Sequence, residues 1–507
     1  MKFPWYQNKC GDGGRAPVKS LVVSQNQENH NRGVTGGLSV LLTVLCIVDL
    51  FGVFPVITLP KSVISCGILG VPLVIGVFGL QLYTAVLLGR CWLVARQITP
   101  HIQEQSRSPY AAVADLAFGQ TAKTLITCLI DATVFGSGVP NYIIASQTLQ
   151  IFWWKISWGA VNVTYCVWML ILAMLLCPIM WLGSPKDMKP IAISSVFIVT
   201  ITAILTWICI IKDDLSPAPI DDILTIQPDF QDYLTAYGIL AFQFDIHPML
   251  LTLQVDMKDS SKINLAVFGG FIITIVMFVI TTALAAERYG SALNNNILET
   301  IPSSILLFVI ALLVTLQLCL SSAVSHSALF QHIEDLLNIP REFCLQRCLI
   351  RSSILASAII LAEAVPRFDL VMGLIGSMLT GPLMFICPPL FFLKLCYMKS
   401  QMKQHTKQNG IKVIDSLCYE NGGDVSKVPL ISDAPQTKYK TFDITQGVKE
   451  IDYSIRWYDI LFALIVMVLG VFATGIATYS SWSNAIAYAM FSPPCILNAT
   501  LAARAFK

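Results

Sequence analysis

The chain has 507 residues, of which 55% are hydrophobic and only 13% are charged, and its formal net charge is +2. Soluble domains have about twice this share of charged residues, so the composition excludes the soluble class. It indicates a protein that crosses the lipid bilayer many times, and we expect no nucleic-acid partner.

The chain begins with a polar segment, residues 1–37, that contains several lysines and arginines among Gly, Asn and Gln. Such a composition cannot bury enough apolar surface to fold, and it predicts a disordered cytoplasmic tail. The segment lacks the apolar core of a signal peptide. Membrane insertion is therefore expected to start with the first spanning helix.

Apolar runs of about 20 residues, the length needed to cross the hydrocarbon core, define eleven predicted helices. They are 38–60, 64–94, 121–153, 160–183, 188–211, 233–256, 263–287, 302–334, 345–365, 368–398 and 457–479. We divide the chain into a tail (1–37), a membrane core with helices 1–10 (38–398), a cytoplasmic insert (399–455), and helix 11 with a lumenal or extracellular C-terminal segment (456–507).

Basic residues are concentrated in alternate connections, which predicts a cytoplasmic N-terminus by the positive-inside rule. The same orientation places the sequon Asn162-Val163-Thr164 on the outer or lumenal side, where Asn162 is a candidate glycosylation site. Most of the fifteen cysteines lie within apolar runs. We therefore expect no disulfide framework, metal site or cofactor.

Two of the predicted helices have interrupted middles. The sixth segment carries Asp245, His247 and Pro248 at bilayer depth, and the first carries Asp49 and Pro55 with Gly52 between them. A buried charge is costly in a membrane, and proline removes a helical N–H and clashes with the preceding turn. Paired interruptions in matching helices of two halves indicate a transporter substrate site, so we predict helix breaks at Pro55 and Pro248.

Several motifs occur in the order found in a known family. They are Ile57-Thr58-Leu59-Pro60 through Gly67-Ile68-Leu69-Gly70, Ser108-Pro109-Tyr110 through Ala117-Phe118-Gly119, Tyr237-Gly238 through His247-Pro248 and Met257-Lys258, and Leu370 through Ser377. Together they resemble the amino acid/auxin permease family. Within it they are most similar to the vesicular inhibitory amino acid transporter and proton-coupled amino acid transporter branches.

The resemblance implies an all-α polytopic membrane protein with about eleven transmembrane helices, arranged as a five-plus-five inverted repeat with broken helices 1 and 6. It also implies transport of amino acids with protons or sodium. One departure stands out: the family often has Gly-Ser-Gly where this chain has Val53-Phe54-Pro55. Pro55 offers no N–H for a carboxylate, so the substrate is expected to be smaller, to lack an α-carboxylate there, or to bind at Gly52.

Residues beside the two breaks are the predicted binding site. The substrate-lining candidates are Asp49, Phe51, Gly52, Val53, Phe54, Phe242, Gln243, Phe244 and Asp245. The proton-coupling candidates are Asp245, His247, Asp49 and Asp131, because histidine titrates near neutral pH and buried acids resist ionisation. Each also has a structural interpretation, as a helix cap or as a hydrogen-bonded partner of a neighbouring helix.

Two further groups on the eighth segment have predicted roles. Ser321, Ser322 and Ser325 are weak candidates for sodium ligands, although serines also allow helices to approach closely. Glu334, at the end of that segment, is expected to be solvated.

The predicted function is secondary active transport of an amino acid or related small zwitterion, coupled to protons, by alternating access. The alternatives are sodium-coupled transport at the plasma membrane and an amino acid sensor that signals through residues 399–455. Motifs for a nucleophile elbow or a nucleotide loop are absent from the sequence, so we expect no enzyme. The expected location is a vesicular or lysosomal membrane, or the plasma membrane.

Overall fold

The computed structural model describes residues 37–100, 102, 108–160, 163–182, 188–214, 226–340, 343–365, 367–420 and 457–488. Within these ranges the chain forms helices joined by short connections, and its one β-type contact is an isolated bridge. The tail (residues 1–36), Asn162 and the segment after residue 488 lie outside the described residues.

The helices carry the following labels. In chain order they are α1 (Val40–Phe51), α2 (Phe54–Ile57), α3 (Leu59–Ile64), α4 (Gly70–Ile98), α5 (Pro109–Phe118), α6 (Gln120–Ile156), α7 (Tyr165–Leu182), α8 (Met188–Lys212), α9 (Phe230–Gln243), α10 (His247–Asp256), α11 (Ile263–Tyr289), α12 (Ile297–Thr300), α13 (Ile305–Leu336), α14 (Leu345–Ala364), α15 (Phe368–Ile375), α16 (Cys387–Glu420) and α17 (Trp457–Tyr488).

Helices occur at each of the eleven predicted apolar segments. Within the described residues, eight helical stretches are long and apolar enough to cross a membrane, and α1 and the 165–181 part of α7 are shorter apolar helices. The protein is therefore a multi-pass membrane protein. The count of eleven crossings and the inverted repeat stay predictions.

The predicted tenth segment differs most from expectation. Between α15 and α16 the backbone forms two π-helical turns, Gly376–Thr380 and Pro382–Ile386, and α16 then continues to Glu420. The first part of the predicted insert, residues 399–420, is therefore helical. Residues 421–455 lie outside the described part of the chain.

The π-helical region packs closely against α9. A Cβ atom added to Gly376 would lie 1.9 Å from the carbonyl oxygen of Gly238 and 2.8 Å from the amide nitrogen of Phe242. Only glycine permits this backbone approach, which is the small-residue packing typical of membrane helices. The contact fixes the end of α9 that leads into the second helix break.

The start of α1 is joined to the end of α10. The Leu38 N–H donates to Asp256 O at 2.8 Å, and the Lys258 N–H donates to Leu38 O at 3.0 Å, which pairs Leu38 with Met257 in a parallel bridge. Leu38 and Met257 are both buried. The ends of the two broken helices that lie farthest from the breaks are thus held together.

Two expectations about single residues are wrong. Glu334 is buried, not solvated, because Arg351 and Arg347 return from α14 and donate to its Oε1 at 2.6 and 3.2 Å. Cys166, at the start of α7, forms a disulfide, whereas none was expected.

Candidate functional site

The first break lies at Gly52. α1 ends at Phe51, and Gly52 then adopts φ 61° and ψ −151°, a backbone conformation that L side chains rarely adopt. The chain becomes helical again at Phe54, with Pro55 in the first turn of α2, where a missing N–H removes no helical hydrogen bond. Glycine therefore makes the interruption, and the proline starts the next helix.

The second break has a similar form. α9 ends at Gln243, non-helical backbone follows, and α10 starts at His247 with Pro248 in its first turn. The Gln243 side chain donates a hydrogen bond to the Phe51 carbonyl oxygen, which α1 leaves free at its end. The two breaks are thus bonded to each other directly.

Four phenylalanine rings pack together next to the two breaks. Phe51, Phe244, Phe78 and Phe271 pack with ring centroids 5.0–5.6 Å apart, mostly edge to face, a preferred aromatic geometry. Phe244 is fully buried in this cluster. The cluster thus joins the two breaks through Phe51 and Phe244.

A cavity of about 100 Å³ lies beside the two breaks. Several sequence-predicted residues line it: Phe51, Gly52, Phe54, Phe242, Gln243, Asp245 and Pro248. Asp245 is the one charged side chain in this lining, among the residues that the structure describes. The cavity therefore offers an anionic group, three aromatic rings and the polar amide of Gln243.

Other predicted residues lie away from the cavity lining. Val53 and Phe244 are packed in the core, and Pro55 is buried in α2. Asp131 lies on α6 and pairs with His332 of α13, with Oδ2 and Nδ1 2.6 Å apart. Both of these side chains are partly exposed, and the pair contributes nothing to the lining.

The His247 side chain is in contact with the Asp245 carboxyl group. Its ring is fully buried and touches two side chains: Nδ1 lies 3.2 Å from Asp245 Oδ1, and Nε2 lies 3.0 Å from Thr84 Oγ1 on α4. The backbone N–H of His247 also donates to Asp245 Oδ1 at 3.0 Å. Asp245 Oδ1 thus receives both bonds from His247, and the Asp245 carboxyl group also interacts with the Thr380 hydroxyl.

Asp49 belongs to a second buried polar group. It contacts Ser195 of α8, and the Ser195 hydroxyl accepts a 3.4 Å hydrogen bond from Gln317 Nε2 of α13. In the described part of the chain, Asp49 Oδ1 and Gln317 Oε1 are buried without a hydrogen-bond partner. Gln317 also lines the cavity, so this group adjoins the site through α13.

The cavity wall contains two polar stripes that sequence reasoning did not identify as sets, although it named Ser321 and Ser325 as weak candidates for sodium ligands. Thr133, Ser137 and Asn141 come from α6, and Gln317, Ser321 and Ser325 come from α13. Their spacing of four residues places each set on one helical face. This spacing inside apolar segments was the signal that could have identified both sets.

The predicted sodium candidates have different environments. Ser321 lines the cavity, whereas the Ser322 hydroxyl accepts a 3.0 Å hydrogen bond from Asn141 Nδ2 and is fully buried. Thr380, in the first π-helical turn, also lines the cavity and was missed by sequence reasoning. π-Helical turns inside α-helices often occur at functional sites.

A larger cavity, about 520 Å³, lies elsewhere, between the end of α3, the connection from α11 to α13 and the start of α15. Its charged lining residues are Lys61, Glu299, Arg367 and Asp369. It contains none of the predicted site residues. We take the smaller cavity as the candidate site because it adjoins both helix breaks.

Comparison with solved structures addresses the fold. The crystal structure of MhsT in complex with L-phenylalanine aligns with a TM-score of 0.53 at 13% sequence identity, covering 88% of this chain and 99% of MhsT. At this identity the likeness concerns the fold alone.

Comparison with known sequences gives the family. Amino acid transporter AVT1B of Arabidopsis thaliana is 23% identical over 414 residues, covering 79% of this chain and 72% of the relative. Amino acid transporter AVT1H of the same plant is 23% identical over 397 residues, covering 77% and 88%. A family model described as transmembrane amino acid transporter protein matches residues 38–417. This match covers most of the chain, so the protein belongs to the transmembrane amino acid transporter family.

Proposed function

We propose that this protein carries a small amino acid across a membrane together with a proton, by alternating access to the cavity beside the two breaks. The observation that carries the proposal is the position of Asp245. Its carboxylate is the charged group of the cavity lining, and the buried imidazole of His247 is bonded to it.

The cavity favours a small substrate. Its volume of about 100 Å³ is well below the roughly 300–1,000 Å³ of sites for drug-sized ligands. The ammonium group of the substrate binds Asp245, since a cation pairs with a buried carboxylate. The carboxylate of the substrate faces the hydroxyl and amide groups of the α6 and α13 stripes, which include Asn141 and Ser321.

The Asp245–His247 pair suits proton coupling. A carboxylate and an imidazole in contact can share one added proton, and histidine changes its charge near physiological pH. A pH gradient of one unit supplies about 1.4 kcal/mol per proton. A carrier that moves one proton per substrate can therefore concentrate the substrate about tenfold per pH unit.

Sodium coupling is a second candidate, and one arrangement favours it. Asp49 Oδ1 and Gln317 Oε1 are buried oxygens without hydrogen bonds among the described residues, and Ser195 lies between these side chains. Oxygen ligands of this kind suit a hard cation. In this alternative the Asp49 group binds Na⁺, and the Asp245–His247 pair has a structural role.

Uptake into proteoliposomes distinguishes the two candidates. We expect radiolabelled small amino acids to accumulate under an imposed pH gradient without sodium, and a sodium gradient at equal pH to have no effect. Large amino acids such as tryptophan should compete poorly, because the cavity is small. Uptake driven by sodium alone would favour the Asp49 site. Saturable binding without uptake under either gradient would show that the protein is a sensor and would contradict transport.

The proposed orientation places the N-terminus in the cytoplasm, in a vesicular, lysosomal or plasma membrane. The Cys166 disulfide supports an outer or lumenal position for the start of α7, because disulfides persist in oxidising compartments. This position agrees with the side predicted for Asn162. Mass analysis of intact cells and vesicles after treatment with an impermeant reductant would test the orientation.

A further inference from the structure

Thr84 on α4 is the only described residue besides Asp245 that is hydrogen-bonded to the His247 ring. Thr84 and His247 are both fully buried in this conformation, so the Thr84 hydroxyl is the hydrogen-bond partner of Nε2 among the described residues. Thr84 Oγ1 also lies 3.0 Å from Leu80 O and 3.1 Å from Gln81 O, the carbonyl oxygens of the preceding helical turn. The Thr84 hydroxyl can therefore donate its hydrogen either to a backbone carbonyl oxygen of that turn or to His247 Nε2.

At these distances both ring nitrogens of His247 can be hydrogen-bonded, whether the ring is neutral or protonated. In the neutral ring, the proton on Nδ1 is donated to Asp245 Oδ1, and the Thr84 O–H is donated to the lone pair of Nε2. In the imidazolium ion, Nε2–H is donated to Thr84 Oγ1, and the Thr84 hydrogen turns to Leu80 O. The Nε2 proton is exchanged with water when alternating access opens the site to one side of the membrane. Its gain or loss is then balanced by rotation of the Thr84 hydroxyl group, and the bond between Nδ1 and Asp245 is kept.

We infer that Thr84 is a positioning residue for proton coupling, which holds His247 so that the buried Asp245–His247 pair accepts and releases one proton with every donor paired. A hydroxyl group is suited to this role because it donates and accepts. An aliphatic side chain at this position would leave the imidazolium N–H buried and unpaired. This inference rests on the proposed function.

The other ionisable groups around the pair do not carry charge at neutral pH. Tyr110 of α5 interacts with Asp245, and the thiols of Cys91 on α4 and Cys387 on α16 lie beside Tyr110. The Tyr110 hydroxyl donates to Leu383 O at 2.7 Å. Phenols and thiols ordinarily ionise above pH 8. The charge of the pair is therefore governed by Asp245 and His247 themselves, with Thr84 as the partner that changes its hydrogen-bonding role.

The test compares wild type with Thr84→Val, which keeps the shape of the side chain, and Thr84→Ser, which keeps the hydroxyl group. Initial uptake rates are measured in proteoliposomes from pH 5 to 8 at a fixed pH gradient. In Thr84→Val the charged ring loses an acceptor, which costs more than the loss of a donor by the neutral ring. We expect the midpoint of the pH profile to move to lower pH by about one unit or more, and Thr84→Ser to match wild type.

The possible failures are distinguishable. If wild-type uptake ignores the pH gradient, the proposed proton coupling is wrong, and the role of Thr84 is wrong with it. If wild type responds and Thr84→Val has the same midpoint, even with a lower maximal rate, only the role of Thr84 is wrong. Thr84→Ala is measured in parallel in case Thr84→Val does not yield folded protein, and it should move the midpoint in the same direction.

Discussion

Asp245→Asn is expected to reduce amino acid uptake by about 30-fold or more at low substrate concentration, whether a pH gradient is present or not. The asparagine keeps the size of the side chain and removes the charge of the cavity lining. Loss of one partner from a buried charged pair costs about 2 kcal/mol or more, and each 1.4 kcal/mol corresponds to a factor of ten. Uptake of radiolabelled substrate into proteoliposomes measures the loss.

Asp131→Asn is the matched control, because it makes the same chemical change in a membrane helix outside the cavity lining. Asp131 pairs with a partly exposed His332, and such exposed pairs contribute little. We expect uptake by Asp131→Asn to stay within about twofold of wild type. Equal losses in the two variants would contradict the assignment of the cavity as the binding site, and would return Asp131 to the proton-coupling candidates.

Gly376→Ala is expected to lower the melting temperature of the purified protein in detergent by about 1–3 °C, and to abolish uptake. Its Cβ atom would lie 1.9 Å from the Gly238 carbonyl oxygen, so α9 and the π-helical region have to separate. Overpacking of this kind costs about 1–3 kcal/mol or more. It also displaces Phe242 and Gln243, which line the cavity.

The control for this variant is Gly76→Ala on α4, where a Cβ atom would have no neighbour within 4 Å. In an exposed helix interior, alanine is more favourable than glycine by about 1 kcal/mol. The melting temperature of Gly76→Ala should therefore equal or exceed that of wild type, with normal uptake. A Gly376→Ala protein as stable as Gly76→Ala would show that α9 and the π-helical region are not in tight contact.

The sequence predicted the helices well because the thickness of the bilayer sets their length, and apolar runs of that length are easy to recognise. The breaks were also recognisable, since an acid and a proline rarely occur together at that depth. Their positions were less predictable. Pro55 and Pro248 were expected to break the helices, but each lies in the first turn of the helix that follows the break.

The wall of the cavity was the hardest part to predict. Single polar residues such as Asn141 and Gln317 are common in membrane helices, and the sequence does not say which helical faces meet. Glu334 illustrates the same limit, because the arginine that buries it is 17 residues away on the next helix. Val53 and Phe244 were placed in the lining because they are close to the breaks in sequence, but irregular backbone turns neighbouring side chains in different directions.

The bridge between Leu38 and Met257 couples α1 to α10, the two helices that lead to the breaks. α1 and α10 are joined at their far ends by hydrogen bonds of 2.8 and 3.0 Å, while their other ends meet irregular backbone at Gly52 and at residues 244–246. A pull on the chain just before residue 38 is therefore transmitted along α10 to His247 and Asp245, as well as along α1 to Asp49. Force applied to the N-terminal tail would reach both buried acids at once.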